Sequence, residues 1–311
     1  MHIMLITMIL LLIVGFALLV KGADMFVDGA VNVANRFGIP TIIIGTTVVA
    51  IGTSAPEAAI SIAAAVKDAD GVSIGNVIGS NITNIFLILG LTATIAALPI
   101  HKNTRKYEIP FVGFITLLLC LFGLYVGEIS RPVAGILFGL FIGFMVYMVV
   151  SARNGNTEPV EVKTMSVAKT LLMLVIGIAA LIVGSNLTVD SAVDISHRFG
   201  VSDRIIGLTL IALGTSLPEL VVCVAAAIKK QYDLAVGNII GSNIFNILFV
   251  LGLAGLVRPI PFQSAFVTDA AIALLAVALL MIFAYRNSKL SRIGGIVFLI
   301  MYTAYSLYLV A

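Results

Sequence analysis

Two six-residue stretches put acids where an apolar chain would normally avoid them. Gly52 to Glu57 reads G-T-S-A-P-E and Gly214 to Glu219 reads G-T-S-L-P-E, each inside an apolar run long enough to cross a membrane. An intramembrane acid is energetically costly and marks a functional site by default. Proline has no N–H and its ring collides with the carbonyl four residues back, so Pro56 and Pro218 should free the carbonyls of Gly52 and Gly214. Freed backbone at that depth is tolerated only when it is buried in protein or lines a wet cavity. The hydroxyls of Thr53, Ser54, Thr215 and Ser216 and the carboxylates of Glu57 and Glu219 then gather within one or two helical turns. Every one of these groups offers an oxygen. A local alternative stays open, because S-x-x-E also matches a capping box in which each glutamate only caps the helix restarting after the break. Two copies, each with a carboxylate near mid-membrane, favour the functional reading.

A second polar run follows each hexad at the same distance, G-S-N-I-T-N at Gly79 to Asn84 and G-S-N-I-F-N at Gly241 to Asn246. Asn76, Ser80 and Asn84 are spaced i, i+4, i+8 and form one stripe on a helix, which Asn238, Ser242 and Asn246 repeat. Gly75-x-x-x-Gly79 and Gly237-x-x-x-Gly241 let a neighbouring backbone come close. Asn76, Asn81, Asn238 and Asn243 are expected to join helices, and Ser80, Asn84, Ser242 and Asn246 to line the cavity. Such an oxygen cage suits a hard cation, since calcium takes about 6 to 8 oxygen ligands. His101 and His197 fall in loops and His2 is terminal, which leaves no soft-metal site. Glu57 and Glu219 together are neutralised by one Ca2+ or by two Na+, so one cavity can hold either load but not both. That competition is the physical basis of antiport. Two carboxylates crowded into an empty site repel each other and lose solvation, so acid is expected to inhibit transport by protonating them.

The elements that must position these groups are membrane helices. The chain has 311 residues, 60% hydrophobic and 11% charged, with a mean hydropathy of +1.17, which excludes an ordinary soluble globule. Ten apolar spans are expected, approximately at 3–20, 38–66, 72–98, 108–126, 132–151, 168–187, 202–228, 234–257, 265–285 and 292–310. Residues 38–100 align without a gap on 200–262 at an offset of 162, with roughly 28 identities in 63 positions. Five spans precede a polar linker at 152–167 and five follow it, giving halves of 1–151 and 168–311. An odd number of crossings separates spans two and seven, so the repeats enter the membrane from opposite sides. The expected fold is therefore an all-α membrane protein, ten helices in two inverted-topology repeats of five, with spans two and seven broken. About 13 lysines and arginines lie on the linker's side against about 5 on the other, which makes the linker cytoplasmic and both termini non-cytoplasmic. The first span lacks a basic leader and a small-residue cleavage site and is kept as a helix. Asp24 and Asp28 are expected to be solvated or paired locally with Arg36, and Asp190 and Asp194 with Arg198. Cys120 and Cys223 support neither a disulfide framework nor a zinc site.

The paired motifs G-T-S-A-P-E with G-S-N-I-T-N, and G-T-S-L-P-E with G-S-N-I-F-N, resemble the two alpha-repeats of the cation/calcium exchanger superfamily, in particular its prokaryotic sodium/calcium exchanger branch. The resemblance spans nearly the whole chain. It implies exchange of several Na+ for one Ca2+, with Glu57 and Glu219 coordinating Ca2+ and sharing in Na+ binding, and with oxygens of Thr53 and Thr215 at the calcium position. It further implies carbonyls of Ala50 and Ala212, and oxygens of Ser54, Ser80, Ser216 and Ser242, at flanking Na+ positions, with helices one and six sliding across the core. Neutral Asn84 and Asn246 depart from potassium-dependent relatives that carry Asp at the latter position. The alternative is Ca2+/H+ antiport through the same glutamates. An intramembrane hydrolase is disfavoured because symmetric copies give both acids one environment, whereas an acid/base pair needs different ones. No prosthetic group and no nucleic-acid partner are expected. The expected partners are Ca2+, Na+ and the bilayer of a prokaryotic inner membrane, and the reading is compatible with a monomer.

Overall fold

The computed structural model describes residues 2–66, 72–154, 165–198 and 212–310. Its helices are α1 (His2–Phe37), α2 (Thr41–Thr53), α3 (Ala55–Val66), α4 (Val72–Ile95), α5 (Thr104–Tyr125), α6 (Arg131–Asn154), α7 (Val167–Arg198), α8 (Leu217–Ile228), α9 (Tyr232–Val257), α10 (Ser264–Asn287) and α11 (Arg292–Val310). Among the described residues eight helices are long and apolar enough to cross a membrane, or nine when the bent pair α2 and α3 is taken as one span. This is a mostly helical membrane protein. Residues 199–211, which include the start of the expected span seven, and residues 155–164, most of the expected linker, lie outside the described residues.

The most apolar windows of α4 and α9 are 72% and 83% buried, whereas those of α1 and α7 are only 17% and 22% buried. The motif-bearing helices thus form the centre and the two long ones lie on the flank. α1 and α7 run antiparallel, because Gly15 faces Gly184 while Gly22 faces Gly177. A Cβ added at Gly22 would come within 2.9 Å of the Gly177 carbonyl, and one at Gly177 within 2.9 Å of the Phe26 amide. Only glycine allows the two backbones to approach so closely. At the centre, Gly237 and Gly241 serve the same purpose for α9 against α2, since a Cβ at Gly241 would sit 2.7 Å from the Ala50 Cβ.

Two features differ from the sequence reading. α1 and α7 continue unbroken through the polar shoulders at 21–37 and 184–198, as helices of 36 and 32 residues. On a helix Asp28 and Arg36 stand about 12 Å apart along the axis. Asp24 and Asp28 therefore pair not with Arg36 but with Lys229, just beyond α8, whose Nζ is 2.6 Å from each carboxylate. Arg36 Nη1 instead donates to the Met165 carbonyl at 3.3 Å. The connections also carry four two-residue strands, β1 (Leu98–Pro99), β2 (Glu128–Ile129), β3 (Ile260–Pro261) and β4 (Lys289–Leu290). They pair antiparallel as β1 with β4 and β2 with β3.

Candidate cation site

Both hexads interrupt their helices at the serine. Ser54 has φ −85° and ψ 11°, and Ser216 has φ −90° and ψ 4°. α2 and α3 meet there at a 49° bend. The helices resume beyond each serine, with Ala58 N–H donating to the Ser54 carbonyl at 3.1 Å and Leu220 N–H to the Ser216 carbonyl at 3.0 Å. Proline falls at the start of each new segment, where its missing N–H is cheapest.

The serine side chains decide between capping and a shared site. Ser216 makes no side-chain cap to its own helix. Ser54 Oγ donates to Glu219 Oε1 at 2.7 Å, and Ser216 Oγ reaches Glu57 Oε1 at 3.4 Å. Each hydroxyl serves the glutamate of the other hexad, so the two broken regions meet and their carboxylates share one neighbourhood. Both glutamates are 1% exposed. The Thr215 hydroxyl lies near Glu57 and the Ser242 hydroxyl near Glu219, but neither makes a hydrogen bond of ordinary geometry. Thr53, fully buried, has Oγ1 3.0 Å from Asn238 Oδ1 and 3.4 Å from the Ala50 carbonyl oxygen.

Where α4 and α9 face each other, four asparagines interlock reciprocally. Asn84 Nδ2 donates to Asn243 Oδ1 at 2.9 Å and Asn246 Nδ2 to Asn81 Oδ1 at 3.2 Å. Asn81 Nδ2 donates to the Asn243 carbonyl at 3.3 Å, and Asn243 Nδ2 to the Asn81 carbonyl at 3.5 Å. Asn76 ties α4 to α3 through Ser61 Oγ at 2.9 Å, and Asn238 Nδ2 reaches Cys223 Sγ on α8 at 3.4 Å. The amide N–H groups of Asn84 and Asn246 are spent on this lattice and their oxygens are not. Among the described residues Glu57 Oε2, Glu219 Oε2, Asn84 Oδ1, Asn246 Oδ1, Thr215 Oγ1 and Ser242 Oγ are buried without a hydrogen-bond partner. Buried oxygens are rarely left so. Their number and hardness fit an oxygen-coordinated cation. Ser80 is buried on α4, the Ala50 carbonyl already accepts Ser54 N–H at 3.0 Å, and Ala212 opens the short helical turn ahead of Ser216.

Comparison with known proteins adds what geometry alone does not. The family described as "Sodium/calcium exchanger protein" matches residues 7–150 and 169–311. The chain belongs to the sodium/calcium exchanger family. The sodium/calcium exchanger MaX1 of Methanosarcina acetivorans is 33% identical over 337 residues, covering 95% of this chain and 96% of that protein. The inner membrane protein YrbG of Escherichia coli (strain K12) is 39% identical over 259 residues, 80% of this chain and 79% of that protein. A solved structure of the sodium-calcium exchanger NCX_Mj, soaked with zero Na+ and Ca2+, superposes with a TM-score of 0.86 at 36% identity over 98% of this chain and 99% of that one. The chain is a transporter rather than an enzyme.

Two features of this exchanger's site were not anticipated from its sequence. Gly214 loses its helical donor as expected, but its carbonyl is taken by Ser185 Oγ of α7 at 2.6 Å. The residue 162 positions earlier is Ala23, so the first hexad has no matching donor. The helices also widen to i→i+5 turns at Gly45–Val49, Thr83–Leu89 and Phe245–Val250, a feature frequent at functional sites. In the first of these, Thr46 and Thr47 hydroxyls donate to the carbonyls of Ile42 and Ile43 at 2.7 and 2.6 Å, competing with the backbone donors that would keep the turn tight. The other two hold Asn84 and Asn246, and nothing in their apolar sequence signals them.

Proposed function

We propose that the exchanger moves Na+ against Ca2+ by alternating access through one mid-membrane site shared by its two halves. The observation that carries this reading is the pair of crossed serine–glutamate hydrogen bonds, 2.7 Å for Ser54 with Glu219 and 3.4 Å for Ser216 with Glu57. They bring both carboxylates to one neighbourhood while each retains an unpartnered oxygen. Glu57 and Glu219 supply the charge, and Thr53, Thr215, Asn84 and Asn246 the neutral oxygens about Ca2+. Ser54, Ser216, Ser80 and Ser242, with the carbonyls of Ala50 and Ala212, serve Na+. Two negative charges accept one Ca2+ or two Na+, and in a cavity closed to water neither load enters until the other leaves.

The chain is organised as halves 1–151 and 168–311 joined by a linker at 152–167, ten crossings in inverted repeats. Strand pairing supports the count independently of the residues not described. β2 and β3 are hydrogen bonded, so they lie on one side of the membrane and an even number of crossings separates them. α6, α7 and α9 supply three, and a crossing through α8 supplies the fourth. β1 with β4 requires the same, since α5, α6, α7, α9 and α10 make five without it. β1 shifted by 162 is β3 and β2 shifted by 161 is β4, so exchange of the halves carries one strand pair onto the other. The glycine seam between α1 and α7 supports their moving as one unit along the core. The excess of basic residues supports a cytoplasmic linker and non-cytoplasmic termini in a prokaryotic inner membrane. The site is complete within one chain, so a monomer suffices to build it.

Vesicles loaded with Na+ and diluted into Na+-free buffer should take up labelled Ca2+, and Glu57→Gln should abolish the uptake. Uptake that requires a pH gradient and ignores Na+ would make Ca2+/H+ exchange through the same glutamates the correct reading. Acidification from about pH 8 to about pH 5 should slow Na+-driven uptake as protons occupy the carboxylates.

A further inference from the structure

The exchanger has a third buried carboxylate, outside the proposed exchange site. Glu108, in the second turn of α5, is 4% exposed, and its Oε2 has no hydrogen-bond partner among the described residues. One turn earlier the Thr104 hydroxyl is likewise buried, near Glu108 but without a hydrogen bond of ordinary geometry. Glu108 lines a cavity of about 340 Å3 together with Tyr107 and Phe111 of α5 and Gly143, Phe144 and Tyr147 of α6. Asp233, in the first turn of α9, lies within electrostatic range and adds to the negative potential. A buried charge is stable only if it is paired or neutralised. The walls say what would pair with it. Two lone oxygens among aromatic rings are too few for a hard metal ion, whereas aromatic faces beside a carboxylate suit an organic ammonium.

We propose that this cavity receives the headgroup of an aminophospholipid, its ammonium held by Glu108 and its phosphate by the basic residues at the rim. The rim is complementary in charge. Lys102 and Lys106 are exposed at the start of α5, and Lys106 Nζ lies over the Tyr107 ring, 5.0 Å from its centroid. The cavity lies between the first two turns of α5 and residues 140–147 of α6, and its Glu108 end is the one nearer the helix ends, the side from which a headgroup would enter. Below it Phe114, Leu117 and Leu121 are exposed along α5 and offer the acyl chains an apolar bed. The space is open on the α6 side, because a Cβ built at Gly143 meets no atom within 4 Å.

The test is lipid binding to the purified, full-length exchanger, and it stands whichever ions the exchanger carries. The thermal midpoint in detergent is followed while phosphatidylethanolamine or phosphatidylglycerol is titrated, with soluble ethanolamine as a third arm. Phosphatidylethanolamine should raise the midpoint and the others should not. Glu108→Gln removes the charge with little change of shape. Gly143→Leu fills the cavity without touching the carboxylate, so the two variants fail for different reasons. Each should weaken the phosphatidylethanolamine response at least about tenfold in concentration, the scale of one charge-assisted contact. An equal response to phosphatidylglycerol, or one that survives in both variants, overturns the proposal. A response reproduced by soluble ethanolamine makes the ligand a free amine and overturns the lipid assignment.

Discussion

Ser54 and Ser216 hold the most informative side chains in the molecule, because each hydroxyl had two possible uses. As local caps they would have made the glutamates structural. As donors to the opposite carboxylate they join two distant segments around unpaired oxygens. The bonds are unequal, 2.7 Å against 3.4 Å, and the account predicts unequal mutants. Ser54→Ala should lower the stability of the ion-free protein by about 1.5–3 kcal/mol, the range for a hydrogen bond to a charged group. Ser216→Ala should cost clearly less. Thermal unfolding of both variants in the absence of Ca2+ and Na+ checks the order, and equal losses would mean that the crossed bonds are not what stabilises the empty site. At this scale much was legible in the sequence, because an intramembrane glutamate beside a proline stands out against apolar neighbours. Ser185 was not legible. Its role depends on α7 passing the Gly214 carbonyl, and no local pattern marks a serine for that.

Elements are positioned by small residues where backbones nearly touch. Gly241→Ala would press a methyl to 2.7 Å from the Ala50 Cβ, between α9 and α2. Such overpacking between fixed backbones costs about 1–3 kcal/mol. A thermal melt should show that loss, and Ca2+ affinity should fall with it because Ala50 lies three residues before Thr53. Lys229 binds the end of α8 to Asp24 and Asp28 of α1, but these side chains are partly exposed, at 25%, 50% and 42%. Lys229→Gln should therefore change stability by less than about 1 kcal/mol, and the difference should shrink in high salt. The repeat was readable from the gap-free alignment of 38–100 on 200–262, and the break of α2 from Pro56. The unbroken length of α1 was not, because its polar shoulder resembles an interfacial loop until Lys229 is brought to it by tertiary packing. The widened turns were unreadable for a similar reason, since an i→i+5 turn has no composition of its own.

Across the whole molecule, the proposed inverted repeat has its two halves exchange roles. Asn84–Asn243 and Asn246–Asn81 map onto each other under a shift of 162, as do Gly22–Gly177 and Gly184–Gly15, and β1–β4 maps onto β3–β2 to within one residue. Duplication of a unit that cannot complete its site alone accounts for the proposed two-half architecture. Reporter tags should find both termini on the non-cytoplasmic face and the linker on the cytoplasmic one, and a cytoplasmic terminus would invert the charge argument. The central claim is that one Ca2+ is held jointly by an acid from each half. Equilibrium Ca2+ binding to the purified exchanger in Na+-free buffer tests it most directly, with Glu57→Gln and Glu219→Gln beside the unaltered chain. The account predicts one Ca2+ per chain, displaced by added Na+, and at least about 100-fold weaker binding in either variant, roughly 3 kcal/mol for a lost charged ligand. Two Ca2+ per chain, with each variant losing one and keeping the other at full affinity, would contradict it.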